Sequence, residues 1–122
     1  MTDPFENHDE SRFQEDAHNL AHALQNIVNT LTEASHDGYD STHLSRVQPD
    51  LDYYVDYSNQ LMNAAATHGS QYHDAFNTAA WKVGGAQREV QEATTNDVAE
   101  SKKMHGDQAI ADLNEAIGAL SR

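Results

Sequence analysis

Cysteine is absent from this chain of 122 residues, which excludes disulfides, thiolate zinc sites and cysteine nucleophiles. The first ten residues are acidic and polar without an apolar run, unlike a secretory signal peptide. No later stretch approaches the length of a transmembrane helix. We therefore expect a soluble cytoplasmic protein that does not bind membranes. Secretion without a signal peptide and association with a virion stay open.

Basic residues are also scarce, since seven lysines and arginines face twenty aspartates and glutamates, for a formal charge of -13. A chain of this charge is repelled by nucleic acids and by anionic membranes. We therefore expect no direct binding to nucleic acid. A charged partner should be a protein with a basic surface, although the acidity is also consistent with a role in solubility alone.

What the chain does contain is a regular apolar pattern in two segments, with intervals that alternate between four and three residues. This spacing is typical of helices that pack lengthwise on one another, and no segment alternates with the period of a strand. The pattern predicts an all-α protein, a three- or four-helix antiparallel bundle with coiled-coil-like seams, and it is also consistent with a homodimer. The first seam consists of Phe13, Ala17, Leu20, Leu24, Ile27, Leu31 and Ala34, and the second of Tyr72, Phe76, Ala79, Val83, Ala86, Val90 and Ala93.

Residues 1–10 hold four carboxylates and little that could be buried, so we predict a flexible acidic tail. Residues 11–122 should then form a single helical-bundle domain. We predict that the first helix begins at Ser11, where Gln14 completes a capping box, and that Gly38 ends it.

Turn residues predict the next boundaries. Residues 37–48 read as a polar connection, and Pro49 suits the first position of a second helix. Gly69 should end this helix, and Ser70 can cap the third.

Gly84 and Gly85 lie inside the third predicted helix, where each costs about 1 kcal/mol relative to alanine. The apolar seam stays in phase across them, so we predict one continuous helix rather than a turn. Asp97 should cap a last helix. Gly106 could divide this last segment into two pieces.

Eight histidines are many for this length, and a Glu-x-x-His pair at Glu15 and His18 has the spacing of ligands in di-iron helical bundles. If Leu24 faces the core, however, these side chains lie on the solvent side. Weak candidates for a surface metal site are Glu15, His18 and His22. We expect no cofactor.

Two further pairs of carboxylates, Glu89 with Glu92 and Asp112 with Glu115, are similar to the acidic pairs with which helical nucleotide pyrophosphohydrolases bind magnesium. The second pair in that family runs Glu-x-x-Asp, the reverse of the order found here. The resemblance implies a metal-dependent helical enzyme as a third alternative, against a charged helix surface with no catalytic role.

Residues 50–57 interleave three aspartates with three tyrosines. Carboxylates and tyrosine hydroxyls together suit a basic protein surface, and small acidic immunity proteins use patches of similar composition against nucleases. Trp81 should point away from the seam beside two glycines, which is typical of an interface anchor. The predicted partner-binding residues are Asp50, Asp52, Tyr53, Asp56, Tyr57 and Trp81.

The sequence Trp-Lys-Val-Gly at residues 81–84 resembles the Trp-x-Gly turn of the WXG100 family of secreted helical hairpins, with one additional residue between tryptophan and glycine. That resemblance implies a long helical hairpin that acts as a secreted or structural assembly component. From the residues themselves we expect a non-catalytic acidic protein. It should act as an inhibitor or adaptor that docks on a basic surface, which could be one that normally binds nucleic acid.

Overall fold

Four helices form the protein in a computed structural model that describes residues 8–121. They are α1 (Glu10–His36), α2 (Ser41–His68), α3 (His73–Thr95) and α4 (Ala99–Leu120). Short connections make each helix antiparallel to the next, and α1 closes the bundle by packing on α4 as well as α2. No strand occurs within the described residues. The all-α antiparallel bundle predicted from the sequence is confirmed, whereas residues 1–7 of the predicted tail lie outside the described residues.

The two predicted seams form the core. All seven residues of the first seam are buried, and so are six of the seven in the second, with Tyr72 partly exposed. Many of these residues are alanines, whose small side chains allow helices to approach closely. Burial of this apolar surface is the main favourable contribution to folding.

Helix α1 begins one residue before the predicted start. Asp9 is the N-cap, and its carboxylate accepts a hydrogen bond from the backbone N–H of Arg12. The capping box predicted at Ser11 is therefore wrong, because a carboxylate two residues earlier satisfies the exposed amide. His8 lies against this first turn, with its Nε2 2.9 Å from Asp16 Oδ2.

Helix α2 begins eight residues before Pro49, so the prediction that this proline opens the helix is wrong. The N-cap is Asp40, whose carboxylate accepts the backbone N–H of His43. Leu44 and Val47 are buried in phase with Leu51. Burial of this additional apolar stretch, together with the cap, offsets the roughly 3 kcal/mol that a proline costs inside a helix.

The end of α2 follows the prediction, since Gly69 adopts the left-handed conformation with φ +66°. The prediction that Ser70 caps α3 is wrong, because the N-cap is Tyr72 and has no side-chain capping hydrogen bond. The Ser70 hydroxyl accepts the N–H of Tyr72 at 3.0 Å, one residue before α3 begins.

Helix α3 is continuous through Gly84 and Gly85, as predicted. Asp97 is not the cap of α4, because the side chain that accepts the N–H of Val98 belongs to Asn96. Gly106 does not divide α4 either.

Gly106 has a packing role instead. A Cβ atom there would lie 2.4 Å from ring carbons of Tyr39, which is fully buried in the α1–α2 connection. The Tyr39 hydroxyl donates to Asp107 Oδ1 at 2.5 Å. Tyr39 also holds a left-handed backbone with φ +59°, and its N–H bonds to the carbonyl of Ala34 at 2.7 Å. This connection is therefore anchored to α4.

Candidate protein-interaction surface

Three tyrosine rings contact one another on the outer side of α2. Tyr53 is 61% exposed and meets Tyr54 edge-on, with ring centroids 4.9 Å apart. The Tyr57 ring lies 6.0 Å from Tyr53 on the other side. Because Tyr54 and Tyr57 are partly buried against the core, they support an exposed aromatic ring on a rigid helix.

The aspartates around these rings are hydrogen-bonded only by neutral donors. Asp52 Oδ1 accepts from Gln87 Nε2 of α3 at 2.6 Å and from Gln48 Nε2 at 3.2 Å. Asp56 accepts from Gln60 Nε2 at 3.2 Å. Amide donors orient a carboxylate without cancelling its charge.

Asp50 is exposed on the same helix. Within residues 8–121, none of the three aspartates belongs to an ion pair. We refer to this region as the acidic tyrosine surface, which consists of Asp50, Asp52, Tyr53, Asp56 and Tyr57.

The partly buried tyrosines keep their hydroxyl protons. Burial raises the pKa of Tyr54, and the nearby Tyr53 and Asp50 raise it further. Burial also raises the pKa of Tyr57, with the carboxylate of Asp16 on α1 as the next cause. Both phenols are therefore neutral at physiological pH and can donate hydrogen bonds beside the carboxylates.

Trp81 lies elsewhere, on α3 beside its groove with α4, and its side chain is 67% exposed. The Nζ atom of Lys82 is 4.3 Å from the Trp81 ring centroid and 2.6 Å from Glu115 Oε2. The hydrogen bond from Lys82 to Glu115 raises the lysine pKa. This cation therefore touches both the aromatic ring and a carboxylate of the neighbouring helix.

The α3–α4 groove has a volume of about 370 Å³ and mixes both signs of charge. Glu89 Oε2 lies 2.6 Å from His105 Nδ1, and Asp112 accepts from Gln108 at 3.0 Å. The groove is lined by Trp81, Lys82, Gly85, Arg88, Glu89, Gln108 and Asp112.

Two of the four predicted magnesium ligands, Glu89 and Asp112, line this groove, but the four carboxylates do not form one cluster. Glu89 faces His105 and Glu115 faces Lys82, whereas Glu92 is exposed. In the part of the chain that the structure describes, no three histidine or carboxylate side chains are placed to hold one metal ion.

The candidates on α1 stay on the protein surface. Glu15, His18 and His22 are all exposed, on the side of α1 that faces away from the buried Leu24. The sequence therefore placed these side chains on the correct face of the helix.

Of the six predicted partner-binding residues, five lie on α2 and Trp81 is separate from them. The five extend from Asp50, which lines the groove with α1, to Asp52, which accepts from Gln87 of α3. Sequence reasoning did not find the glutamine that reaches Asp52 from α3, or the lysine that contacts both Trp81 and Glu115. Gln87 is 35 residues from Asp52, so no local pattern could have identified this contact.

Residues 81–84 lie inside α3. The turn expected from the WXG100 resemblance is not observed, nor is a two-helix hairpin. Comparison with known proteins found no matching family model and no significantly similar curated protein or solved structure. Among the described residues, no helix is both long and apolar enough to span a bilayer.

Proposed function

We propose that this is a non-catalytic binding protein whose acidic tyrosine surface docks on a basic surface of a partner protein. The observation that carries the proposal is that Asp50, Asp52 and Asp56 lie on the same helix as an exposed tyrosine and form no ion pair among the described residues. Uncancelled charge is available to a partner, and it also accelerates association with a surface of opposite sign.

The tyrosines add contact area that charge alone does not supply. Tyrosine is enriched at protein interfaces because a rigid ring loses little conformational entropy and its hydroxyl can form a hydrogen bond. Tyr53 stands on the packed rings of Tyr54 and Tyr57, so it is ordered before a partner arrives. An inhibitor or adaptor that competes for a nucleic-acid-binding surface would use such carboxylates where phosphates otherwise lie.

The experiment is a capture of partners from the native host at low and high salt, with proteins identified by mass spectrometry. The wild type is compared with Asp52→Asn/Asp56→Asn, which removes two charges from the acidic tyrosine surface. A matched control, Glu33→Gln/Glu92→Gln, removes two exposed charges from α1 and α3.

We expect a basic protein that is retained by the wild type and by the control, is lost with the aspartate variant, and dissociates at high salt. Purified partner is then tested for loss of nucleic-acid binding upon addition of the wild type. Equal retention by both double variants, or binding insensitive to salt, would contradict the proposal.

A further inference from the structure

Gly84 is a glycine that the fold of one chain does not require. It lies in the middle of α3, and a Cβ atom there would meet no atom within 4 Å. By contrast, a Cβ at Gly85 would lie 3.1 Å from Asp112, and one at Gly106 would collide with Tyr39. An interior helical glycine costs about 1 kcal/mol relative to alanine, so a reason for Gly84 should lie outside the single chain.

The surroundings of Gly84 indicate what that reason is. Asn77, Trp81 and Arg88 are exposed and are spaced from Gly84 by intervals of four and three, which places them along one side of the helix. We refer to Asn77, Trp81, Gly84 and Arg88 as the outer strip of α3. Tryptophan and arginine are the residues most enriched among those that dominate binding energy at interfaces.

The Trp81 ring is held in position before any contact forms. Lys82 Nζ lies over the ring at 4.3 Å, and Glu115 of α4 fixes the lysine at 2.6 Å. A large apolar ring is thus held beside a stretch of helix with no side chain. The same helix therefore carries a projecting side chain at Trp81 and, beside it at Gly84, a gap into which a side chain of another helix could pack.

We propose that a second copy of this chain packs on the outer strip, with the two α3 helices antiparallel about a two-fold axis between residues 82 and 83. In this register Trp81 of each copy lies over Gly84 of the other. A two-fold interface requires a self-complementary patch, and the strip satisfies this requirement because its largest side chain opposes its smallest.

The polar residues of the strip match in the same register. Asn77 of one copy opposes Arg88 of the other, so the amide oxygen can accept from the guanidinium. Asp74, whose side chain is fully exposed, lies one turn further along and can meet the same arginine. The pairing therefore places donors against acceptors.

The expected response to salt distinguishes this interface from the proposed partner surface. Each chain has a formal charge of -13, so two copies repel each other and salt should strengthen their association by screening. Binding of a basic protein to the acidic tyrosine surface should weaken under the same conditions.

Sedimentation equilibrium over a range of chain concentrations and salt tests the dimer, together with urea unfolding of each variant. We expect Gly84→Ala to stabilise the monomer but weaken the dimer about tenfold, because the new methyl group would occupy the space of the opposing Trp81 ring. The control is Gly118→Ala in α4, also at a glycine with open space, which should leave the dimer unchanged.

Trp81→Ala supplies a second variant and should weaken the dimer at least as much. Asp52→Asn/Asp56→Asn should leave dimerisation intact, so failure of the partner proposal and failure of the dimer give different results. A chain that remains monomeric at all concentrations, or a dimer unchanged by Gly84→Ala and Trp81→Ala, would overturn this proposal.

Discussion

On α2, Asp52 and Asp56 accept hydrogen bonds from glutamines, whereas Glu115 and Glu89 at the α3–α4 boundary face a lysine and a histidine. Asp52 is held by Gln87 and Gln48, while Glu115 is held by Lys82 and Glu89 by His105. Both regions combine aromatic rings with carboxylates at helical spacing. They differ in that Glu115 faces a lysine of the neighbouring helix, whereas Asp52 faces a neutral glutamine of its neighbour.

This difference separates two uses of acidic residues. A carboxylate paired with a cation contributes to contacts between helices and presents little net charge. A carboxylate oriented by an amide keeps its full charge for a partner. We expect changes at side chains packed between helices to affect stability, and changes on the acidic tyrosine surface to affect binding.

The largest effect should come from Gly106→Ala in α4. Its methyl group would collide with the buried ring of Tyr39, which cannot move easily because its backbone and hydroxyl are both hydrogen-bonded. We expect a loss of about 1–3 kcal/mol in the free energy of unfolding, measured by urea denaturation, with partner binding unchanged.

A double variant checks the cause of this loss. Replacing Tyr39 by leucine in the Gly106→Ala background removes the clash, so the two effects should be strongly non-additive. Additive effects would show that the glycine acts through something other than the ring.

The second effect concerns binding by the acidic tyrosine surface. Tyr53→Ala should weaken partner affinity about tenfold, since a truncated interface aromatic typically costs more than 1 kcal/mol. Because Tyr53 is 61% exposed, the free energy of unfolding should change little. Isothermal titration measures the affinity, and Tyr53→Phe as control separates the contribution of the ring from that of the hydroxyl. If Tyr53→Ala bound the partner as strongly as the wild type, Tyr53 would not belong to the interface.

The third effect is a change with pH in the free energy of unfolding. Hydrogen bonds from Lys103 and then Tyr39 lower the pKa of Asp107 below its ordinary 3.8. The ionised carboxylate therefore makes its full contribution to stability above about pH 4. This contribution is lost as the pH falls through the lower pKa that Asp107 has in the folded state. With the carboxylate 47% exposed, we expect less than about 1 kcal/mol at neutral pH.

Urea denaturation of Asp107→Asn at neutral and acidic pH measures this contribution. The variant should be less stable than the wild type at neutral pH, and the two should converge below pH 3.8. Lys103→Gln removes the largest cause of the lowered Asp107 pKa. The free energy of unfolding of this variant should therefore change less with pH over the same interval. A constant difference between Asp107→Asn and the wild type at all pH values would show that the carboxylate charge is not involved.

The smallest effect should come from Lys82→Gln. The Glu115 side chain is 57% exposed, so solvent screens this ion pair and the urea midpoint should shift only slightly. Trp81 fluorescence should nevertheless shift, because the ammonium group above its ring is removed. An unchanged emission spectrum would indicate that the lysine does not rest on the ring in solution.

Much of the fold could be predicted because the apolar residues of a packed helix recur with its own period. Leu24 and Val83 are buried as their spacing implied, and Gly69 ends α2 in the expected conformation. Prediction failed at boundaries such as Pro49, where local preference for a helix start was weaker than burial of Leu44 and Val47 in the preceding turns. The predicted caps of α3 and α4 failed because these helices begin after Tyr72 and Val98, which have no side-chain capping hydrogen bond.

The candidate site was predicted less completely. The exposure of Trp81 follows from helical geometry, so the sequence placed this side chain correctly. Whether Asp52 would be neutralised could not be known, because its partner Gln87 comes from a different helix.

The amino-acid pattern was sufficient for a bundle of three or four amphipathic helices, a thin alanine-rich core and strong acidity, since periodicity and composition are properties of the chain that need no distant contact. The packing of the helices decided which carboxylates form ion pairs and at which glycines a side chain would collide with a neighbour. Those properties depend on pairs such as Tyr39 and Asp107, which are 68 residues apart and meet only when the bundle has formed.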